Sequence, residues 1–470
     1  MHNRNVSQER VTLVAVISTA FLVPFIASAI NLSLPSLGQE FNSSALLLGW
    51  VVTSYLLASA AFLLPFGRWA DIVGRRKVFL TGLSLFSLFS LLCSMASSVE
   101  MLIVFRICQG IASAMIFSTS MAILTSVYPP NRRGKALGMS VASTYIGLSL
   151  GPVLGGWMNH NLGWRSIFYF IVLLSLIVSI YTALRLKGEW RGAAGEKFDL
   201  PGSLLYVLGL AAFLYGMSSL SSWDWSWYMA AIGLVCLGFF VRYELGQLHP
   251  LIEIRLFIQN ISFAFSNLAA MINYSATFAL GFLLSIYLQV IVGYSSQAAG
   301  MILLAQPLMM ALFSPLAGSL SDRIEPRLVA TAGMTLSSIG IFFFIFLGPN
   351  TSISLLTANL ALIGLGFALF SSPNTNAVMA AVQPRLYGIA SSTLGTMRLV
   401  GQALSMAIVT LLMATYIGNA QLSNVEPQLL MNSIHTTFII FFILCCLGIW
   451  ASIARGKSTG EQIESVRRGV

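Results

Sequence analysis

The chain has 470 residues, of which 57% are hydrophobic and only 9% are charged, and its formal net charge is +10. Soluble domains carry about 25% charged residues, so this composition excludes an ordinary water-soluble protein. Apolar runs of about 20 residues recur over the whole length, and each is long enough to cross a bilayer as a helix. These runs are continuous rather than alternating, which argues against a membrane β-barrel.

Fourteen transmembrane helices are predicted along the chain. In order they cover residues 11–34, 46–66, 78–96, 101–124, 134–158, 164–184, 200–220, 225–243, 260–290, 298–318, 327–346, 353–371, 387–416 and 431–453. The first run is too long for the core of a cleavable signal peptide, so it is expected to remain as a helix. The expected fold is therefore an all-α integral membrane protein.

Positive charges predict the orientation of these spans. All 25 Lys and Arg residues except Arg106, Arg165 and Arg398 lie at the termini or in or beside the even-numbered connections. Cytoplasmic loops carry an excess of Lys and Arg, so both termini are predicted to be cytoplasmic. The net charge thus reflects a multi-pass topology in the plasma membrane. We expect the lipid bilayer, and no nucleic acid, as a partner.

An internal repeat divides the chain. GRWADIVGRR, which begins at Gly67, aligns with GSLSDRIEPR, which begins at Gly318, so that Asp71 matches Asp322. Two further stretches, VYPPNRRG and VQPRLYG, are separated by a similar offset of about 250 residues. Internal repeats are typical of secondary transporters, whose substrate site lies between the repeated halves.

The repeat predicts the domain organisation. We expect two six-helix bundles related by a pseudo-twofold axis, with spans seven and eight inserted between them. The predicted units are the first bundle at 1–185, the loops and inserted helices at 186–259, the second bundle at 260–455, and a cytoplasmic tail at 456–470. No ATP-binding motif is present, which argues against a pump driven directly by ATP.

Three motifs resemble those of the major facilitator superfamily. GRWADIVGRR is similar to its signature between spans two and three, LIVFRICQGIASA from Leu102 to its fourth-span motif, and GLSLGPVLGG from Gly147 to its fifth-span antiporter motif. With fourteen spans, the chain resembles the 14-span drug:proton antiporter family. The resemblance implies a multidrug efflux transporter that works by alternating access, without a cofactor or bound metal, and functions as a monomer.

The resemblance also implies a role for GRWADIVGRR, the motif that begins at Gly67. In the superfamily this loop is a conformational latch between the two bundles. The role carries to Gly67, Asp71, Gly74, Arg75 and Arg76, and through the repeat to Asp322. Physically, Asp71 could lie near a helix amino terminus or a cationic partner across the interface between the bundles. The alternative is a plain positive-inside loop.

The stretch GLSLG matches a nucleophile elbow, but that motif needs a strand, a sharp turn and a nearby histidine. Here it lies within an apolar helix, where glycines four residues apart allow close helix packing. The residues expected to pack the halves together are Gly147, Gly151, Pro152, Gly155 and Gly156.

Polar residues within the spans are the candidates for substrate contact. Arg106 is the strongest of these candidates, because inserting a guanidinium at mid-bilayer costs roughly 2.5–3.5 kcal/mol on insertion scales. It is expected to line a cavity with its neighbours, or else to be a structural arginine bound to backbone carbonyls. The candidates are Ser28, Asn31, Trp50, Tyr55, Arg106, Gln109, Ser113, Asn273, Tyr274 and Arg398.

One family feature is missing. The 14-span antiporters usually carry an acid in span one, where this chain has Ile26, and none of its fifteen carboxylates lies well inside a span. A proton antiporter for cations needs a buried acid, so the pattern favours an anionic or zwitterionic substrate. The expected function is export of amphipathic small molecules. The alternatives are a carrier of a specific organic anion or lipid and, without any catalytic constellation, a membrane enzyme or scaffold.

Overall fold

The computed structural model describes residues 2–128, 130–219, 225–247, 250–321, 323–382, 387–418 and 425–456. Side chains are described in these ranges except at 2–7, 130–135, 137, 387 and 388. Within this part of the chain the structure is helical and contains no strand.

The helices are numbered in chain order. They are α1 (His2–Ala29), α2 (Leu34–Phe41), α3 (Ala45–Val73), α4 (Arg75–Ser94), α5 (Val99–Val127), α6 (Pro130–Leu162), α7 (Arg165–Arg185), α8 (Leu200–Ser219), α9 (Ser226–Glu244), α10 (Ile254–Gln259), α11 (Ile261–Thr277), α12 (Leu280–Ile286), α13 (Ser296–Leu303), α14 (Ala305–Ser321), α15 (Pro326–Phe344), α16 (Ile353–Ala380), α17 (Tyr387–Ile417) and α18 (Pro427–Ala454).

Thirteen helical segments of the described chain are long and apolar enough to cross a membrane. They correspond to thirteen of the predicted spans, and three of them join shorter helices: Gln8–Phe41, Ile261–Ile291 and Ser296–Ser321. The predicted fifth span lies in α6, a 33-residue helix rich in glycine and serine that is not among the thirteen. The all-α membrane fold is therefore confirmed, while the count of fourteen spans stays a prediction.

Polar caps fix where several helices begin. The side chains of Ser44, Ser98, Asn260 and Ser295 each accept a hydrogen bond from the backbone N–H three residues later, at 2.9–3.4 Å. A helix leaves its first N–H groups unpaired, and these side chains satisfy one of them at each start. Short polar breaks in the apolar sequence thus set the start of each of these four helices.

The two halves pack their helices in the same way. In the first half α3 packs on α5, α1 on α6, and α4 on α5 and α7. The second half repeats these pairs, with α14 on α16, α11 on α17, and α15 on α16 and α18. The same packing pairs thus recur in both halves, with helices α8 and α9 between them in the chain, while the division into two bundles with the bounds given above stays a prediction.

The inserted helices pack on each other and on one seam between the halves. A Cβ at Gly216 or Gly233 would come within 2.4 Å of the partner helix, so glycine allows their axes to approach closely. Helix α8 contacts both α3 and α17. Its Tyr206 hydroxyl donates to the Ala60 carbonyl of α3 at 3.1 Å, so the pair is attached to both bundles at this seam.

The bundle has two ends, which we name by charge. The basic end carries residues 67–77, which we call the basic loop and in which α3 and α4 are interrupted at Gly74 alone. The opposite end carries the start of α13. At the opposite end the halves are sealed: Ser285 donates its hydroxyl to the Asn31 carbonyl at 2.7 Å, and Ser296 donates to the Gly156 carbonyl at 3.1 Å. Glycine makes this contact possible, because a Cβ at Gly156 would lie 2.5 Å from the Ser296 carbonyl oxygen.

The other predicted packing residues lie along α6. Added Cβ atoms at Gly147, Gly151 and Gly155 would collide with α1 of the same bundle, while the Pro152 carbonyl oxygen lies against Gly300 of α13. The first three thus pack α6 within its own bundle. Pro152 and Gly156 are the members of the set that face the second half.

Candidate functional site

Side chains from both halves meet between the bundles in what we call the Tyr274 cluster. Its members come from helices α6, α11, α14, α16 and α17 and are Tyr145, Tyr274, Met310, Phe367, Ser371, Thr375 and Arg398. The Tyr274 and Phe367 rings meet edge to face, with centroids 5.1 Å apart. Tyr145 crosses between the halves, since its hydroxyl donates to Ser371 Oγ at 3.3 Å.

Arg398 brings a positive charge to this cluster. Its Nη2 donates to Thr375 Oγ1 at 2.6 Å, and its Cζ lies 5.7 Å from the Tyr274 ring centroid. The side chain is half-buried, and its Nε has no hydrogen-bond partner among the described residues. No described carboxylate forms an ion pair with it. The cluster therefore combines aromatic faces with an uncompensated guanidinium, a combination suited to an amphipathic anion.

Arg106 lies in a sealed network inside the first bundle. Its Nε donates to the Val51 carbonyl at 3.1 Å and its Nη1 to Gln109 Oε1 at 2.6 Å, and its Cζ sits 4.2 Å from the Tyr55 ring centroid. The side chain is 0% exposed. In this conformation the arginine is bound to a carbonyl, as in the structural alternative, and does not line a cavity.

The same network holds three further candidates, Tyr55, Gln109 and Ser113. Gln109 Nε2 donates to Ser90 Oγ at 2.7 Å, and the Tyr55 hydroxyl donates to Ser113 Oγ at 2.8 Å. All of these side chains are buried between α3, α4 and α5. Together with Arg106 they join three helices of one bundle.

The remaining candidates are spread over other interfaces. Ser28 donates to the Leu148 carbonyl at 3.3 Å between α1 and α6, and the Trp50 ring packs on Tyr215 of the inserted α8 at 5.4 Å. Asn31 lies in the sealed seam beside Gly281. The Asn273 amide is fully buried, with no partner for either of its polar atoms among the described residues. Of the ten candidates, the structure brings Tyr274 and Arg398 into the Tyr274 cluster.

The predicted latch loop is held within its own half. Asp71 Oδ1 accepts a hydrogen bond from Arg75 Nε at 2.7 Å, and Arg75 Nη1 donates to Ser126 Oγ at 2.8 Å. The sequence analysis allowed for a cationic partner of Asp71 across the interface between the bundles. In the structure the cationic partner of Asp71 is Arg75, four residues later in the same half of the chain. Asp322, its counterpart in the repeat, lies outside the described residues.

The connection from α7 to α8 covers this loop. The Glu189 carboxylate accepts from the Arg76 backbone N–H at 2.8 Å, and Arg76 Nε donates to the Leu186 carbonyl at 2.6 Å. Arg68, next to Gly67, forms an ion pair with Glu196. Gly74 adopts φ 134°, a conformation that favours glycine, and packs directly under Glu189. Residues 186–199 therefore clamp the basic loop to the first bundle.

Sequence reasoning missed five members of the Tyr274 cluster, namely Tyr145, Met310, Phe367, Ser371 and Thr375. Each is a common residue in an apolar helix, and only the packing of α6 against α14 and α16 brings them together. The sequence signal that could have found them is the position of Tyr145 two residues before the GLSLG motif, on the helix expected to pack the halves.

The chain is similar in sequence to known membrane transporters. The family model of the Major Facilitator Superfamily matches residues 16–201 and 267–467. The riboflavin transporter RibZ of Clostridioides difficile is 28% identical, over 97% of this chain and 99% of its own. The multidrug resistance protein Stp of Mycobacterium tuberculosis is 30% identical, over 89% of this chain and 78% of its own. The cephamycin export protein CmcT of Amycolatopsis lactamdurans is 31% identical, over 84% of this chain and 83% of its own.

Solved structures show the same fold. A bacterial homologue of the human lysosomal transporter Spinster, inward-facing and unoccupied, superposes with a TM-score of 0.68 at 18% identity and covers 95% of this chain and 97% of its own. A POT-family transporter in complex with 5-aminolevulinic acid also gives a TM-score of 0.68, at 13% identity, over 95% of this chain and 96% of its own.

Proposed function

Since this chain belongs to the Major Facilitator Superfamily and is a multi-pass membrane transporter, we propose that it exports amphipathic small molecules by alternating access. Relatives named for multidrug resistance and for cephamycin export support the direction. Alternating access requires one end to close while the other is open, and the seal at the opposite end supports such a state. Nothing in the family or in the described residues points to catalysis.

The observation that carries this proposal is the half-buried Arg398 beside the Tyr274 and Phe367 rings at the interface of the halves. A charge within a span is costly, and Arg398 has fewer hydrogen bonds to offset that cost than Arg106 has among the described residues. Its donors suit a carboxylate or phosphate, while the rings offer flat apolar contact. We therefore propose a substrate with an aromatic or apolar body and an anionic or zwitterionic group.

A second candidate is a carrier dedicated to one aromatic organic anion. The similarity to RibZ, named a riboflavin transporter, extends over nearly the full length of both chains and supports dedication to one aromatic compound, while the anionic charge is inferred from Arg398. The Tyr274 cluster serves either function. The two differ in breadth, since a dedicated carrier binds one compound far better than its analogues.

Proton coupling is expected to be weak. Related antiporters carry an acid at the position of Ile26, and no carboxylate lies well inside a predicted span. A coupled cation antiporter needs a group that exchanges a proton for its substrate within the bundle. We propose that substrate charge and concentration, more than a pH gradient, drive transport.

The test is transport by the purified chain in proteoliposomes, with and without a pH gradient. We expect anionic aromatic amphiphiles to be transported above protein-free vesicles and lipophilic cations to compete poorly. Transport of one compound alone would support the dedicated carrier. Strong transport of lipophilic cations that requires the pH gradient would overturn the anion proposal and restore a cation:proton antiporter.

Both termini and the connection 186–199 are proposed to be cytoplasmic, which labelling can test. Ala193 is unsuitable for this purpose, because it is buried and its N–H donates to the Asp71 carbonyl at 3.0 Å. Ala194 is exposed. In a background without native cysteines, Ala194→Cys should react with an impermeant maleimide only in inside-out vesicles. Labelling from outside intact cells would reverse the orientation.

A further inference from the structure

Two carboxylates meet where the inserted helices join the rest of the chain. Glu244 is the last residue of α9, and Asp199 immediately precedes α8. Glu244 is only 2% exposed, and its Oε2 accepts from the Leu251 backbone N–H at 2.8 Å. Asp199 Oδ1 accepts from the Gly202 N–H at 3.0 Å and from the Tyr243 hydroxyl at 3.1 Å. One oxygen of each carboxylate thus accepts hydrogen bonds from described donors.

The other two oxygens face one another. Glu244 Oε1 and Asp199 Oδ2 are both buried and have no hydrogen-bond donor among the described residues. They lie on the same side of Gly202, because a Cβ added there would clash with both. Both oxygens lie within 2.6 Å of the point where a Cβ at Gly202 would be placed, so the two carboxylates are close neighbours. Two ionised carboxylates only accept hydrogen bonds, so such a contact needs a proton between them.

No described cation neutralises the pair. Arg255 reaches the neighbouring Leu245 carbonyl at 3.4 Å, while Arg242 and Lys197 are exposed. Tyr243 contributes a hydroxyl donor, and Glu253 adds a further negative charge along the chain. His249 lies outside the described residues. Two full negative charges in this buried contact would repel each other strongly.

We propose that Glu244 and Asp199 form a proton-binding site, in which one proton bridges Glu244 Oε1 and Asp199 Oδ2. A metal ion fits the geometry less well. Ca²⁺ takes six to eight oxygen ligands and Mg²⁺ about six, whereas only two oxygens are free here. The site is separate from the Tyr274 cluster and does not depend on which substrate the protein carries.

The pair holds three segments together. Asp199 ends the connection 186–199 that clamps the basic loop, and it caps α8 through Gly202; Glu244 ties the end of α9 to Leu251, ahead of α10. The shared proton therefore closes a joint that links the first bundle, the inserted helices and the entry to the second bundle. Its loss leaves adjacent negative charges that push the joint apart.

The sign of the pH effect follows from this arrangement. Carboxylates that share one site keep their first proton to higher pH than a lone carboxyl does in the unfolded chain. The folded protein then binds more protons than the unfolded one in that interval, so stability falls as the pH rises through it. Carboxylates stabilised by cations would give the reverse slope.

The test uses thermal melting of the purified full chain from about pH 5 to pH 9. We expect the wild-type melting temperature to fall as the pH rises, and the fall to shrink in Glu244→Gln. The Gln side chain accepts from Leu251 and donates to Asp199 Oδ2 without a titrating proton. Asp199→Asn should behave alike, because it keeps the cap on α8. Glu253→Gln, a nearby carboxylate outside the pair, is the matched control and should keep the wild-type slope.

A spectroscopic readout identifies the proton directly. The infrared difference spectrum between low and high pH should contain a protonated carboxyl band that is lost in Glu244→Gln and Asp199→Asn but kept in Glu253→Gln. Equal bands and equal slopes in all variants would overturn the site. So would a wild-type melting temperature that rises on adding Na⁺ or Ca²⁺ and no longer does so in Glu244→Gln, because the ligand would then be a metal ion.

Discussion

Gly156→Val is expected to abolish transport while the protein still folds and inserts into the membrane. The space for a side chain at this position is occupied by the Ser296 carbonyl, 2.5 Å from where a Cβ would lie. A branched side chain there would separate α6 from α13 and break the hydrogen bond from Ser296 to the Gly156 carbonyl. The opposite end could then no longer close, and a carrier that cannot close one end does not complete its cycle.

The control for this variant lies on the same helix. Gly138 has nothing within 4 Å of an added Cβ, so Gly138→Val changes helix propensity equally without touching the second half. It should transport at close to the wild-type rate. A second readout is the reactivity of a cysteine introduced by Asn31→Cys. Position 31 is buried in the seam of the wild type, so this cysteine should react with a thiol reagent added at the opposite end only when Gly156→Val is also present. Normal transport by Gly156→Val would contradict the role of this contact in closure.

Arg398→Ala is expected to weaken binding of an anionic amphiphile by more than about tenfold, the size of loss when one partner of a desolvated charge pair is removed. Arg398→Lys should restore part of the affinity, because an ammonium lacks the planar fork of guanidinium. The measurement is equilibrium binding to purified protein. Melting temperatures should stay close to wild type, since Arg398 makes one side-chain hydrogen bond, to Thr375.

Arg106→Ala should give the converse pattern. Removal of this fully buried guanidinium leaves Gln109 Oε1 without its donor and removes the contact with the Tyr55 ring, which destabilises the first bundle. We expect a marked fall in melting temperature and little change in the affinity of the protein that stays folded. If Arg106→Ala instead loses affinity at unchanged stability while Arg398→Ala binds normally, the substrate site lies in the first bundle.

The contrast between these arginines shows what the sequence does not contain. Both interrupt an apolar run and both have a glutamine three or four residues later, so their local patterns are nearly the same. The difference is tertiary. Arg106 contacts α3 inside the first half, whereas Arg398 contacts Thr375 of α16 and Tyr274 of α11, the latter in the cluster that Tyr145 of the other half joins. Continuous apolar runs predicted the helices well, because bilayer crossing depends on local composition alone.

The contact between Asp199 and Glu244 could not be predicted from the sequence either. Asp199 and Glu244 belong to different helix ends, and the chain between them forms the inserted hairpin that brings them together. The sequence predicts that no carboxylate lies well inside a span. In the structure Asp199 precedes α8 and Glu244 is the last residue of α9, in agreement with this prediction. Position along the chain could not say that one of them is buried, or that its neighbour is another acid.

The inserted pair α8–α9 also removes the symmetry of the two seams. The seam between α3 and α17 carries α8 along its flank, whereas α6 meets α13 and α14 with no inserted helix beside it among the described contacts. From the plane of the bilayer, the seam between α3 and α17 is covered by α8. The seam between α6 and α14, where Tyr145 lies, has no inserted helix over it among the described contacts. We therefore expect a lipid-dissolved substrate to enter between α6 and α14 rather than between α3 and α17.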